Sequence, residues 1–166
     1  MILPDILAPG LHLVLCGTAP SRASKEAGAY YAKPGNAFWP TLHAVGLTPR
    51  RVAPADYACV TEYGLGLTDL NKTEFGVDSE LSRDAYDAEG FKAKMRTFRP
   101  AAIALDSKNA AKAFLGTAAV AYGRQAEDFE GMELFVLPSP SGLARRFFTL
   151  DPWREAAAFV RARRGW

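Results

Sequence analysis

The chain has 166 residues, 49% hydrophobic and 23% charged, with a formal charge of +2, enough length and apolar content for one core without staples. Cys16 and Cys59 are its two cysteines, too few for a disulfide framework or for a four-cysteine iron–sulfur cluster within the chain. No apolar run approaches the ~20 residues of a membrane span, and His12 and His43 stand far apart, which leaves a metal site without support.

Leu11–Cys16 is a continuous apolar run and reads as a buried parallel strand. A long loop follows from Gly17 to about Ala37, and loops of that length in a compact domain usually carry function. Phe38–Val45 reads as a helix with Pro40 in its first turn and Gly46 as its stop. Thr48–Ala58 is a proline-rich connection. Tyr63–Asn71 is a strand-like or loop segment whose glycines imply close backbone approach, and Phe75–Ser82 shows no period. In Asp87–Arg99, the spacing of Phe91, Met95 and Phe98 predicts an amphipathic helix stopped by Pro100.

Ala101–Leu105 is a second buried strand, and Ser107 caps a helix that ends before Gly116. Leu134–Leu137 is a further strand. It feeds the loop Pro138-Ser139-Pro140-Ser141-Gly142-Leu143-Ala144-Arg145-Arg146. Asp151-Pro152 opens a final helix with Trp153, Ala157 and Val160 inward. Strands alternating with helices predict a single α/β domain over residues 1–166, a three-layer sandwich around a mostly parallel sheet. With no charged-then-apolar leader, the expectation is a cytoplasmic protein, taken as a monomer without cofactor.

Two loops follow strand ends, Gly17–Ser21 and Pro138–Arg146, and such loops build sites in open α/β sheets. The second combines small residues, Leu143 and two arginines. That composition suits an apolar wedge in a nucleic acid helix with cations on phosphates. Six arginines crowd the last fifth of the chain: Arg145, Arg146, Arg154, Arg161, Arg163 and Arg164. Clustered cations favour DNA; a solvated helix face is the plainer account of Arg161–Arg164.

Four blocks, in order, carry a resemblance: Asp5-Ile6-Leu7-Ala8-Pro9-Gly10-Leu11, the Cys16-Gly17 loop, Pro34-Gly35-Asn36-Ala37-Phe38-Trp39, and Leu137–Arg145. Together they resemble the mismatch-specific uracil-DNA glycosylases, relatives of thymine-DNA glycosylase within the uracil-DNA glycosylase superfamily. The resemblance implies the fold of that superfamily. It also implies a DNA repair enzyme that flips uracil or a related damaged base out of DNA and hydrolyses its N-glycosidic bond. In that family the first loop typically reads Gly-Ile-Asn-Pro-Gly, and its Asn positions the attacking water. Here Ala19 takes the Asn place and Thr18 the Ile place, and a methyl group cannot hold a water.

Carried over residue by residue, the resemblance gives base contacts to Gly17, Thr18, Ala19, Tyr31 and Ser139. The amides of Gly17, Thr18 and Tyr31 are donors to uracil O2, and Tyr31 is the stacking partner, or else packs the loop. Ser139 stands where the family usually has Asn. DNA contacts fall to Ser21, Ser141, Gly142, Leu143, Ala144 and Arg145. Leu143 is the plug for the vacated stack, the alternative being a core residue of a turn. For the water, Asp69 is the first candidate and Asn71 the second; a carboxylate there orients water or faces an oxocarbenium-like sugar, or simply caps a turn. A competing reading is a damaged-DNA binding protein that has lost its chemistry. A nucleotide-binding enzyme using Gly17–Ser21 lacks both the Gly-rich Lys-Ser/Thr pattern and the dinucleotide fingerprint.

Overall fold

The structure is a computed structural model and describes residues 1–165. Five strands form its sheet: β1 (Leu13–Gly17), β2 (Leu65–Asp69), β3 (Ala102–Leu105), β4 (Gly123–Arg124) and β5 (Glu133–Val136), in the order β2-β1-β3-β5-β4. All pairings are parallel except β4 with β5. The short antiparallel edge strand β4 has no signal in the sequence, since two residues carry no period.

Alternation along the strands explains the continuous apolar runs. Leu13 and Leu15 of β1, Ala102 and Ala104 of β3, and Phe135 of β5 enter one core. Val14, Cys16, Ile103, Leu105, Leu134 and Val136 enter the other. A parallel sheet covered on both faces leaves neither set in water. The first core is roofed by α2 (Phe38–Ala44), α5 (Asp151–Arg164) and a 3-10 segment, Pro54–Tyr63; Trp39, Leu42, Trp153 and Val160 are buried there. The second lies under α3 (Ala88–Phe98) and α4 (Lys108–Leu115) through Phe91, Met95, Ala111 and Phe114. The expected three-layer α/β sandwich is therefore the architecture.

Several local expectations hold for local reasons. Ser107 accepts from the Ala110 amide at the start of α4, and Gly116 ends that helix at φ 69°. The 17–37 segment is less of a loop than expected, because α1 (Arg22–Ala27) stands inside it. Two indoles fasten the loops to the helices: Trp39 donates to the Tyr30 carbonyl at 2.9 Å, and Trp153 to the Pro138 carbonyl at 3.1 Å.

Of the arginines at the end of α5, Arg163 is exposed, as a solvated face requires, while Arg161 and Arg164 turn onto backbone carbonyls. Arg161 donates to the Val45 carbonyl at the end of α2, and Arg164 to the carbonyls of Leu47 and Tyr63. Cations on carbonyls left over at helix ends are favourable. Gly46, at φ 83°, leaves the space that the Arg161 guanidinium occupies.

Candidate functional site

The chain leaves β1 toward β2 on one side of the sheet and later builds β3 on the other. The carboxyl ends of β1 and β3 thus flank a topological switch point, where open α/β sheets leave a crevice. A cavity of about 590 Å³ opens there, lined among others by Gly17–Ser21, Tyr31, Asp69, Asp106, Ser139–Ser141, Leu143 and Phe147.

Its floor is made by three strand ends in register. Gly17 pairs with Asp69 across β1 and β2, and Asp106 follows Leu105, the partner of Cys16. The two carboxylates therefore rise on either side of Gly17. A Cβ at Gly17 would stand 3.1 Å from Oδ1 of Asp69, 3.2 Å from Oδ1 of Asp106 and 3.2 Å from the Tyr31 hydroxyl. Only a residue without a side chain leaves that gap open.

Asp69 is 5% exposed and Asp106 3%. Oδ2 of Asp69 is buried with no hydrogen-bond partner among the described residues. A buried carboxylate without a partner is costly and belongs where a ligand or water meets it. Burial pushes Asp69 up to about 7; Lys72 draws it down, and Asp106 and Asp5 add to the rise. Asp106 is also pushed up to about 7 by burial, against the pull of the Tyr31 hydroxyl that donates to its Oδ2, with Asp78 adding. Both groups thus titrate where a general acid or base is useful.

Tyr31 takes an unusual backbone for a bulky residue, φ 52°. That conformation aims its ring back onto Phe38, with centroids 3.7 Å apart and planes at 11°. Burial, with the two carboxylates adding, holds its phenol well above the ordinary range, so it stays a proton donor.

Each expected residue has a definite place. Ala19 lines the cavity with only its methyl group. Thr18 also lines it, but its hydroxyl is occupied, donating to Asp78 at 2.7 Å. Asp78 accepts from Asn109 as well, at 2.7 Å, and so ties the 76–79 segment, which also lines the cavity, to Thr18 and α4. Ser21 caps α1 by accepting from the Ser24 amide. Ser139 accepts from the Ser141 amide, and Ser141 in turn caps a 3-10 segment, Gly142–Phe147, by accepting from the Leu143 amide.

On that segment Leu143 is 69% exposed and Phe147 59%, so Leu143 is not a core residue. Arg145 is exposed and reaches the Gly35 carbonyl at 3.5 Å, while the Ala37 amide donates to Pro140. The Pro34–Trp39 block thereby braces the loop from behind.

Asn71 departs from expectation. It is fully buried and does not line the cavity. Its Oδ1 accepts from the amides of Thr73 and Glu74, and its Nδ2 donates to Glu74. Its side chain is consumed in folding the turn after β2. Asp106 is a cavity residue that the sequence alone does not single out. Its signal is the apolar run Ala101–Leu105 followed directly by an Asp, and the structure sets that Asp at a strand end beside Asp69.

Among the described residues no group of three or more His, Cys, Asp or Glu is arranged to hold a metal ion, and no helix is long and apolar enough to cross a membrane. The fold is shared with known proteins. The solution NMR structure of a provisionally assigned uracil DNA glycosylase from Methanosarcina acetivorans superposes with a TM-score of 0.67 at 24% identity, covering 97% of this chain and 96% of that one. That likeness bears on the fold. The family model described as the Uracil DNA glycosylase superfamily matches residues 4–162, and the chain belongs to that superfamily.

Proposed function

We propose that the protein is a DNA glycosylase that turns uracil or a related damaged base out of DNA and hydrolyses its glycosidic bond, leaving an abasic site, with Asp69 doing the work that an Asn does elsewhere. The observation that carries this reading is the buried Asp69 carboxylate, its Oδ2 without a hydrogen-bond partner among the described residues, lining the same cavity as the exposed Leu143. A protein that only bound damaged DNA has no use for such a group, which is expensive to bury.

A flipped base enters the cavity and lies against the Tyr31 ring, which Phe38 backs. Stacking of this kind is worth ~1–3 kcal/mol per base. Leu143 fills the vacated place in the duplex, offsetting the few kcal/mol of unstacking, and Arg145 meets the phosphates. Asp69, as the anion, orients the water and faces the positive charge that grows on the sugar as the bond opens. A positioned base of this type contributes ~10²–10⁴-fold, enough to replace the lost Asn. The protein works on this reading as a monomer without metal or cofactor.

The test is single-turnover conversion of a labelled duplex with one G·U pair, using excess protein and alkali to reveal abasic sites. Conversion is the expected result. Tight binding of the same duplex without conversion, and none with hypoxanthine or thymine in place of uracil, leaves the recognition-protein reading instead.

A further inference from the structure

Two carboxyl groups meet over Gly17, and the reaction above uses one. Asp106 is as buried as Asp69 and opens on the same cavity, and its two oxygens are differently placed. Oδ2 accepts from the Tyr31 hydroxyl, while Oδ1 faces the gap over Gly17. In the neutral acid, Oδ2 is the carbonyl that accepts from Tyr31 and Oδ1 carries the proton toward the cavity. We propose that Asp106 is a second catalytic residue, the acid that hands a proton to the base as it departs while Asp69 serves the water. The proposal rests on the excision reading given above.

The surroundings of the two carboxyls set how one proton is shared between them. Around Asp69 stand Lys72, Asp5, Asp106 and Cys16, and Lys72 favours the anion there. Around Asp106 stand Tyr31, Asp69 and Asp78. Lys108 of α4 also lines the cavity, but it sits over the Tyr122 ring, 4.7 Å from the centroid. Burial keeps the Cys16 thiol and the Tyr31 phenol neutral. Lys72 favours the anion on Asp69 and the Tyr31 hydrogen bond favours it on Asp106, so the two carboxyls share one proton as a coupled pair near neutral pH, and the reaction runs from the form that holds it on Asp106.

The step balances. The C1′–N bond breaks and its electron pair leaves with the base, which takes the proton of Asp106. The water oxygen bonds to C1′ and gives a proton to Asp69. One water has been added across the bond, and the proton has moved from one carboxyl to the other. Transfer back across the Gly17 gap restores the pair.

The test compares the wild type with Asp106→Asn and Tyr31→Phe in single-turnover release from G·U and G·5-fluorouracil duplexes, from about pH 5 to 9. Fluorine makes the departing base less basic, so it needs a proton less. Asp106→Asn is expected to slow uracil release ~10²-fold or more, to slow 5-fluorouracil release much less, and to lose the alkaline decline of the wild type. Tyr31→Phe keeps the carboxyl but removes the hydrogen bond that draws its pKa down, so its alkaline limb moves to higher pH. Equal losses on both bases, or an alkaline limb that neither substitution moves, overturns the proposal. A wild type that releases neither base brings down the excision reading and this proposal together; a wild type that releases both, with Asp106→Asn unaffected, sinks only the role of Asp106.

Discussion

The Tyr31 ring lies flat on Phe38, centroids 3.7 Å apart, and its hydroxyl reaches 75 residues along the chain to Asp106. One side chain thus joins the wall that receives a base to the floor that holds the acids. The two jobs separate by substitution. Tyr31→Phe keeps the ring and is expected to keep the affinity for a lesion duplex. Tyr31→Leu is expected to lose ~1–3 kcal/mol of it, read as a difference in Kd between the two variants by fluorescence anisotropy. Equal affinities for the two variants contradict stacking on Tyr31.

Asp69→Asn is expected to lower single-turnover base release ~10²–10⁴-fold with binding to the lesion duplex retained. It also has a signature in stability. The folded-state pKa of Asp69 is raised, from 3.8 to about 7, so between those values the folded protein binds more protons than the unfolded chain. The stability this contributes is fully present below about pH 4 and lost as pH rises toward 7. Asp106 acts in the same direction over the same window. The wild-type Tm is therefore expected to fall by several degrees between pH 5 and pH 8, and Asp69→Asn to flatten the slope. Calorimetry across that window checks it; parallel curves for the two proteins contradict a strained Asp69.

Asn71 makes the contrast. Its hydrogen bonds serve the turn and not the cavity. Asn71→Ala leaves two amides without their acceptor, at ~1–3 kcal/mol for an unsatisfied buried group. The expected outcome is a Tm lowered by roughly 2–12 °C with the single-turnover rate per folded molecule little changed. A large loss of rate at unchanged Tm returns Asn71 to the chemistry.

What was legible in the sequence follows from the range of the forces involved. The sheet strands are short apolar runs with turn signals at their ends, and burial on both faces writes them plainly into the chain. The cap at Ser107 and the exposed Leu143 are local as well, set by a few neighbouring residues. Asp106 and Asp78 were not legible, because their meaning lies in partners far along the chain: Tyr31 for the one, Thr18 and Asn109 for the other. Asn71 misled for the reciprocal reason. Asn after a strand suits both a turn and a site, and only the contacts with Glu74 distinguish them. Arg161 and Arg164 carry a charge that sequence reading assigns to solvent or phosphate, whereas tertiary packing presents them with the carbonyls of Val45, Leu47 and Tyr63.

Gly17→Ala tests the gap itself. The backbone of Gly17 lies outside the positive-φ region, so alanine is conformationally allowed. Its methyl would press on Asp69, Asp106 and Tyr31 at 3.1–3.2 Å, tighter than ordinary van der Waals contact. The side chains must give by a few tenths of an ångström, into the space where water and base meet them. Base release is expected to fall at least ~10²-fold, since small misplacements of catalytic groups carry penalties of that size, with the Tm lowered by a few degrees at most. A fully active Gly17→Ala protein would mean that the reacting atoms sit elsewhere in the cavity.

Leu143 stands on the mouth of the cavity with more than two-thirds of its surface in water, and Phe147 is exposed one turn further along the same 3-10 segment. Nothing in the fold needs the Leu143 side chain, so Leu143→Ala is expected to leave the Tm within about 1 °C of the wild type, as exposed substitutions do. A duplex with an unpaired or flipped base has a hole that this side chain fills. Losing it forfeits part of the compensation for unstacking, a few kcal/mol per step, and single-turnover release from a G·U duplex should slow ~10-fold or more. Release from single-stranded DNA, where no stack is broken, should hardly change. The ratio of the two rates is the measurement, and a substitution that slowed both substrates alike would show that Leu143 contacts the base or the strand without acting as a wedge.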